Sequence, residues 1–352
     1  MPMSFFTQNV IRTLSSAALI LLSVSACTEE RTPTESWKHS ENGSYASSFS
    51  PDGRYVLVGD IDLPAKLWDL ETNKVKYTWQ NTPSDSGTTT DVAFSDDSKV
   101  AATVESKVIV LWNMENGEPM IRLEFPVTIK DIALSPRGDH LLLALQDRTA
   151  VYFDVIRNRV VQIFKHDGKA VNSPIDQLIN TVDISPNGKY GLTGGDDHTA
   201  RMWNLETGQQ LRIWQHKNDV SFVSFDPRGG NVISSAGNAQ TRIWSVKSGK
   251  QVAVLTTSLV DVDGIWGDFP VFKTTTTAIA YSPDGKYVAT GHPNREICVW
   301  RAQNGQALGC WLTPRKDALK PGVVIQALAF SPDGRSVYSE LGNGLAQKWR
   351  IR

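Results

Sequence analysis

The chain has 352 residues, with 36 Lys and Arg side chains against 37 Asp and Glu, and a formal net charge of −1. Hydrophobic residues make up 40% and charged residues 21% of the sequence, a balance that is typical of globular proteins and excludes disordered and collagen-like chains. A nearly neutral chain does not attract phosphate backbones through its overall charge, so we expect no nucleic-acid partner.

The N-terminus has the pattern of a secretory signal, which we assign to residues 1–26. One basic residue, Arg12, precedes an apolar stretch over residues 14–26, and small residues stand at its end, as in cleaved signals. The stretch is shorter than the roughly 20 residues that a membrane-spanning helix needs. The alternative, a buried N-terminal helix, is disfavoured because the next segment is polar and contains proline.

The end of this signal resembles the lipobox of bacterial lipoproteins. Residues 22–27 read Leu-Ser-Val-Ser-Ala-Cys, which is an aliphatic residue, small residues and then Cys27. The resemblance implies cleavage before Cys27, lipidation of that residue and a stable membrane anchor. In a Gram-negative host it also implies, from Thr28, the outer membrane of the bacterial cell envelope. The polar residues 28–35 are predicted to form a tether, so that residues 27–35 are lipidated Cys and linker.

Seven copies of one pattern fill the rest of the chain. Each copy has a short apolar run, Ser-Pro-Asp-Gly or a variant, and further apolar runs, of which one ends in an aromatic residue. Pro-Asp-Gly favours a tight turn, and the flanking runs have the length and composition of strands. A second turn follows the aromatic residue and leads into a fourth strand, so each repeat is predicted to be a four-stranded antiparallel unit. The turn residue and the aromatic residue of the copies are Pro51 and Trp68, Asp96 and Trp112, Pro136 and Phe153, Pro186 and Trp203, Pro227 and Trp244, Pro283 and Trp300, and Pro332 and Trp349.

These repeats resemble the WD-repeat (WD40) β-propeller family over residues 36–352, although only Trp68-Asp69 is a literal Trp-Asp pair. The resemblance implies an all-β fold, a seven-bladed propeller with four antiparallel strands in each blade. The seventh repeat lacks an outer strand after Trp349. Because Ser-Trp-Lys-His at residues 36–39 matches Ile-Trp-Gln-His at residues 213–216, the N-terminal segment around residues 35–39 is predicted to supply that strand and close the ring.

The same resemblance implies a buried hydrogen-bond network of His, Ser or Thr, Asp and Trp in each blade. The implied role is structural, because satisfied buried hydrogen bonds hold loops in place, and we assign no catalytic residue. The first repeat offers His39, Asp62 and Trp68, and the fifth offers His216, Ser234 and Trp244. The fourth repeat matches the network throughout, with His166, Thr193, Asp197 and Trp203.

The histidines and cysteines give one further prediction. His198 and His292 have no partner at the spacing of a metal motif, so we predict no metal site. Cys298 and Cys310 flank the turn Gln-Asn-Gly at residues 303–305, and a three-residue hairpin loop would set them opposite each other. An exported protein meets an oxidising compartment, which makes a disulfide one alternative and two buried thiols the other.

The long connections between repeats should leave one face of the ring. The longest, residues 256–277, holds several aromatic and aliphatic residues among acidic ones. Aromatic residues on a long loop over a rigid scaffold suggest a binding site, and the candidates are Ile265, Trp266, Phe269 and Phe272. The alternative is that this loop folds inward and caps the ring.

Two classes of function remain open. The first is a non-catalytic, membrane-anchored scaffold of the bacterial envelope that binds partner proteins through the long-loop face and is otherwise a monomer. The second is a propeller enzyme or small-ligand carrier with a site at the ring axis. The sequence contains no nucleophile elbow, metal cluster or phosphate-binding loop, so we favour the scaffold and expect no cofactor. A role in outer-membrane protein assembly would rest on analogy of fold alone.

Overall fold

The computed structural model describes residues 30–61, 64–81, 87–166, 178–237, 240–256, 275–314 and 323–351. Every helix or strand within these ranges is a β-strand, and the strands form seven separate four-stranded antiparallel sheets. No helix in the described part of the chain has the length and apolar character required to cross a membrane. The predicted all-β, seven-bladed architecture is confirmed.

Six of the blades take four successive strands each. The first strands of blades one to five pack against one another in succession, and so do those of blades six and seven and of blades seven and one. Blade one holds β2 (Ser44–Phe49), β3 (Tyr55–Asp60), β4 (Ala65–Asp69) and β5 (Lys74–Trp79). Blade two holds β6 (Asp91–Phe94), β7 (Val100–Glu105), β8 (Val108–Asn113) and β9 (Pro119–Glu124). Blade three holds β10 (Ile129–Leu134), β11 (His140–Leu145), β12 (Thr149–Asp154) and β13 (Arg159–Lys165).

The next three blades follow the same plan. Blade four holds β14 (Ile179–Ile184), β15 (Tyr190–Gly195), β16 (Thr199–Asn204) and β17 (Gln210–Gln215). Blade five holds β18 (Val220–Phe225), β19 (Asn231–Ala236), β20 (Gln240–Ser245) and β21 (Gln251–Leu255). Blade six holds β22 (Ala278–Tyr281), β23 (Tyr287–Gly291), β24 (Glu296–Arg301) and β25 (Ala307–Leu312).

Blade seven joins the two ends of the chain. Its first three strands are β26 (Ile325–Phe330), β27 (Ser336–Leu341) and β28 (Leu345–Arg350), and its outer strand is β1 (Glu35–Lys38). In the antiparallel register Glu35 lies opposite Lys348 and Lys38 opposite Leu345. The predicted closure of the ring by the N-terminal strand is therefore confirmed.

The repeated Ser-Pro-Asp-Gly sequence builds the turn between the first two strands of a blade. In blade one the Ser50 hydroxyl donates to Asp52 Oδ1 at 2.6 Å and accepts the backbone N–H of Tyr55 at 2.8 Å. Gly53 N–H donates to the Ser50 carbonyl at 2.9 Å, and Gly53 has a φ of 71°, which favours glycine. Ser, Asp and Gly of the motif therefore each satisfy one part of the turn.

Each blade is buried on both faces because it stands between two others. In β11 three consecutive leucines, Leu141, Leu142 and Leu143, are fully buried. Leu141 and Leu143 pack with side chains of blade two, whereas Leu142 packs with side chains of blade four. The alternation of side chains along a strand thus fills two interfaces at once, and a blade without its neighbours would expose both of them.

A left-handed residue stands five places before the closing aromatic residue in several blades. It is Arg148 in blade three, His198 in blade four and Arg295 in blade six, with φ values of 73°, 63° and 72°. In blade seven the same position is Gly344, with a φ of 77°. A Cβ atom there would collide with the carbonyl oxygen of Ser40. The approach of the N-terminal segment, rather than the backbone angle alone, therefore requires glycine in blade seven.

We expect Gly344→Ala to destabilise the protein more than Gly334→Ala. Gly334 lies in the same blade with a φ of 67°, and an added Cβ would meet no heavy atom within 4 Å. The control therefore carries only the cost of a left-handed alanine, about 1–2 kcal/mol. Gly344→Ala also has to displace Ser40, at a further cost of about 1–3 kcal/mol. Urea unfolding followed by tryptophan fluorescence measures both, and equal losses would contradict this account of ring closure.

Candidate partner-binding face

The long connections all leave the same face of the ring, which we call the loop face. Each connects the outer strand of one blade to the inner strand of the next, so the inner strands β6, β14, β22 and β26 begin at this face. The predicted binding residues Ile265, Trp266, Phe269 and Phe272 lie outside the described residues, as does Cys27. The predicted binding role of that loop and the lipidation remain predictions.

The inner-strand ends on the loop face carry exposed side chains. Tyr45, the second residue of β2, is 62% exposed, and Lys130 of β10 is also exposed. The Lys130 ammonium donates to Asn180 Oδ1 at 2.6 Å, which links blade three to blade four. An exposed aromatic ring and an ammonium group on a rigid rim are side chains of the kind that protein interfaces use.

Beneath this rim, carboxylates join neighbouring blades through backbone N–H groups. Asp131 accepts the N–H of Ile132 on one oxygen at 2.9 Å and that of Val182 in the next blade on the other at 2.7 Å. Asp183 repeats the arrangement with Ile184 at 2.8 Å and Phe225 at 2.6 Å. Burial raises the pKa of Asp131 to about 6 and that of Asp183 to about 7, although these hydrogen bonds lower both values.

Asp91 of blade two completes this row of carboxylates. Its oxygens accept the N–H of Val92 at 2.8 Å and that of Ile132 in blade three at 3.1 Å. Burial, followed by the neighbouring Asp131 charge, raises its pKa. Since every oxygen of the three carboxyl groups accepts a backbone N–H, the row ties blades two, three, four and five together.

The structure brings together the four network residues named in the fourth repeat. His166 bonds through Nδ1 to Asp197 at 2.8 Å and through Nε2 to Thr193 at 2.6 Å, and Trp203 donates to Thr193 at 2.8 Å. Burial raises the pKa of Asp197, but His166, Thr199 and the Arg201 charge outweigh it and lower the pKa to about 2. These groups are buried and mutually bonded, which is the arrangement of a structural network.

The fifth blade has only part of the network. His216 Nε2 bonds to Ser234 at 2.8 Å, and Trp244 donates to the same hydroxyl at 2.7 Å. His216 Nδ1 has no hydrogen-bond partner among the described residues, and Asn238 lies outside them. Burial, with the nearby Arg242 charge, lowers the pKa of His216 to about 4.

His39 has different partners from those expected at the first repeat. Its Nδ1 lies 2.6 Å from Glu340 Oε1 in blade seven, and its Nε2 lies 3.0 Å from Asn73 Oδ1. The ring stacks on Trp68 at 4.4 Å between centroids, while Asp62 lies outside the described residues. Burial lowers the pKa of His39, but the Glu340 charge and the hydrogen bonds to Glu340 and Asn73 together outweigh this effect, so the pKa is raised.

Blade six contains a second buried cluster that sequence reasoning missed. Ligand atoms of His292, Glu296 and Cys298 lie within 4.8 Å of one another, and all three side chains are buried. His292 Nε2 bonds to Thr290 at 3.2 Å. Cys298 pairs with Cys310 across β24 and β25, and the two sulfur atoms form a disulfide. The His-x₃-Glu-x-Cys spacing was the available signal, but it matches no common metal motif.

The N-terminal segment is bonded to the ring from Glu30 onward. Arg31 N–H donates to the Leu312 carbonyl at 3.1 Å, and its guanidinium lies 5.3 Å from the Trp311 ring centroid. Glu30 pairs with the buried Arg295 at 3.1 Å. Residues 30–34 of the predicted tether therefore lie along blades six and seven instead of forming a free linker.

Comparison with known proteins supports the resemblance to WD repeats. The family model "WD domain, G-beta repeat" matches residues 162–204, 208–245 and 271–301. A propeller domain from a solved structure, Cps50 (Swd1) of Myceliophteria thermophila, superposes with a TM-score of 0.75 over 90% of this chain and 99% of that one, at 14% identity. At this identity the likeness concerns the fold alone. The chain is similar to WD40 propellers.

Two curated relatives are eukaryotic proteins. The chain is 25% identical over 243 residues to transcription initiation factor TFIID subunit 5 of Caenorhabditis elegans, covering 68% of this chain and 34% of that protein. It is 21% identical over 245 residues to the LST8 homolog of Drosophila melanogaster, covering 69% of this chain and 72% of that protein. The match thus spans about a third of the first relative and most of the second.

We expect Glu340→Ala to destabilise the protein by about 3–5 kcal/mol, because it leaves His39 buried without its charged partner. Glu124→Ala is the control: Glu124 pairs with Arg122 at 3.5 Å, but both side chains are largely exposed, so removing this pair should cost less than about 1 kcal/mol. Urea unfolding of the two variants beside the wild type measures the difference. A Glu340→Ala loss no larger than that of the control would show that the pair is not stabilising.

The same pair predicts a pH dependence. Because the folded-state pKa of His39 is raised above 6.5, its stabilisation is complete below that pH and is lost as the pH rises through the folded pKa. The wild type should therefore lose free energy of unfolding as the pH rises above about 6.5, and Glu340→Gln should lose less. Parallel pH profiles of the two proteins would exclude His39 as the responsible group.

Proposed function

We propose that the protein is a non-catalytic scaffold that binds partner proteins through the loop face. The observation that carries the proposal is the exposed rim of inner-strand ends, where Tyr45 and Lys130 stand on a rigid ring among the origins of the long connections. Rigid scaffolds that present loops and exposed aromatic residues are suited to protein recognition. The protein acts as a monomer apart from its partners.

The polar groups of the interior support a structural rather than a catalytic role. The carboxylates of Asp91, Asp131 and Asp183 accept hydrogen bonds from backbone N–H groups. Both ring nitrogens of His166 are also hydrogen-bonded, one of them to Asp197. A general acid or base must reach a substrate atom, and these groups already have partners. The name of the TFIID relative, a subunit, is in keeping with a scaffold.

We propose further that Cys27 carries the lipid of a bacterial envelope lipoprotein and anchors the ring to the outer membrane. Because Glu30 is already bonded to Arg295, only residues 28 and 29 separate the lipidated residue from the ring. Three Cα–Cα steps span at most about 11 Å. The ring is then held close to the membrane at blades six and seven.

Partner capture tests the loop face. We expect full-length Tyr45→Ala to retain at least tenfold less of a defined protein partner than the wild type in crosslinking pull-down from membranes, because an aromatic interface residue can contribute about 2 kcal/mol or more. Met120→Ala is the matched control, since Met120 is 56% exposed on the outer strand β9. A variant lacking residues 260–272 tests the longest connection in the same way.

The three variants separate the possible results. Loss with Tyr45→Ala or with the deletion, but not with Met120→Ala, supports the loop face. Loss only with Met120→Ala would place the interface on the outer strands and overturn the proposal. Thermal unfolding of each variant establishes that the ring is intact before binding is compared.

Metabolic labelling with a fatty-acid analogue tests the anchor. In a Gram-negative host the wild type should incorporate the label and sediment with outer membranes, because two or more acyl chains anchor a protein stably. Cys27→Ser should lose both properties, and Cys310→Ser should retain both, since that sulfur lies in the folded ring. An unlabelled, soluble wild type would refute the lipoprotein assignment.

A further inference from the structure

The buried cluster in blade six has polar atoms without partners. His292 Nδ1 and both carboxylate oxygens of Glu296 have no hydrogen-bond partner of normal geometry among the described residues, although the Thr275 backbone and the Asn294 amide are close to them, and Thr313 Oγ1 is also unpaired. His292 and Glu296 are 1% and 0% exposed. Leaving such groups unpaired in a protein interior is costly, so their convergence indicates a ligand rather than a packing site.

We propose that, once the Cys298–Cys310 disulfide is reduced, His292, Glu296 and the Cys298 thiolate bind one Zn²⁺ ion. The disulfide and the metal ion are then alternative occupants of the same pocket. Imidazole nitrogen, carboxylate oxygen and thiolate sulfur are all ligands of Zn²⁺. Tetrahedral zinc places its ligand atoms about 3.4 Å apart, so these atoms, which lie within 4.8 Å of one another, would have to move closer together around the ion. One thiolate and one carboxylate neutralise the ion.

The two sulfurs differ in solvent exposure, and this difference determines which sulfur a reductant attacks. Cys298 is fully buried, whereas Cys310 is partly exposed on the outer strand β25. A thiolate of a dithiol reductant therefore attacks the Cys310 sulfur, and Cys298 leaves as the thiolate. The second thiol of the reductant then attacks the mixed disulfide and releases Cys310, so the reductant is oxidised to a disulfide and two electrons reach the protein. Zn²⁺ then binds the Cys298 thiolate, the Glu296 carboxylate and the His292 imidazole.

Two variants that both lack the disulfide distinguish a metal site from a structural effect. Full-length Cys310→Ser keeps the Cys298 thiol, whereas Cys298→Ser removes it. With Co²⁺ as the probe, Cys310→Ser should bind one ion per chain without reductant and show a thiolate-to-cobalt charge-transfer band, which Zn²⁺ abolishes by displacement. Cys298→Ser should show no band. His292→Gln or Glu296→Gln in the Cys310→Ser background should weaken Co²⁺ binding more than about 100-fold, beyond the loss of an outer-shell partner.

The wild type provides a test that does not depend on whether a variant folds. It should bind no Co²⁺ when oxidised and one ion after treatment with a phosphine reductant, which is oxidised to its oxide with oxygen from water. A folded Cys310→Ser or a reduced wild type without the band would overturn the proposal. An equal band in Cys298→Ser would overturn the assignment of Cys298 as the ligand. Matching thermal unfolding of the two cysteine variants is the control for loss of the disulfide itself.

Discussion

Closure of the ring is the constraint on which the rest of the structure depends. Each blade buries both faces against neighbours, so an open array would expose the apolar faces of its two end blades. Hairpin turns hold the strands of the other blades together, but in blade seven β1 meets β28 from the opposite end of the chain. Thr34 and His39 extend that pairing through backbone bonds to Lys348 and Gly344 at 2.8 and 2.9 Å, and the His39–Glu340 pair joins the same two segments inside.

Buried histidines show how one repeat is adapted to different tasks. In blade four a complete set of partners surrounds His166, and in blade five His216 lacks a described partner for one nitrogen and its pKa falls. In blade seven the Glu340 carboxylate opposes the effect of burial on the pKa of His39, which is raised overall. In blade six the histidine comes from the loop between the second and third strands, His292, and still reaches the hydroxyl that Trp300 contacts. The pattern of the repeat fixes the position of the histidine, while a neighbouring side chain determines its charge.

Much of the fold could be predicted because its signals are local. Ser50, Asp52 and Gly53 build their turn within six residues, and this motif or a variant of it occurs seven times in the chain. The fourth-blade network could be named because Thr193 and Asp197 stand ten and six residues before Trp203 in the sequence. Glu340 could not be predicted, since it lies 301 residues from His39. The cluster of His292, Glu296 and Cys298 escaped notice because only the strand register places a loop histidine beside β24, and residues 30–34 looked like a linker because their partners lie in blades six and seven.

The turn before β24 connects these features physically. Arg295 has a left-handed backbone, and its N–H donates to the His292 carbonyl at 3.3 Å. Its buried guanidinium bonds to the Thr313 carbonyl and to Glu30 of the N-terminal segment. In blades three and four the equivalent residues, Arg148 and His198, have a similar backbone angle, and neither is bonded to residues 30–39, the described part of the N-terminal segment. Groups that share a partner do not contribute independently, so the docking of the N-terminus and the cluster of blade six are one structural unit.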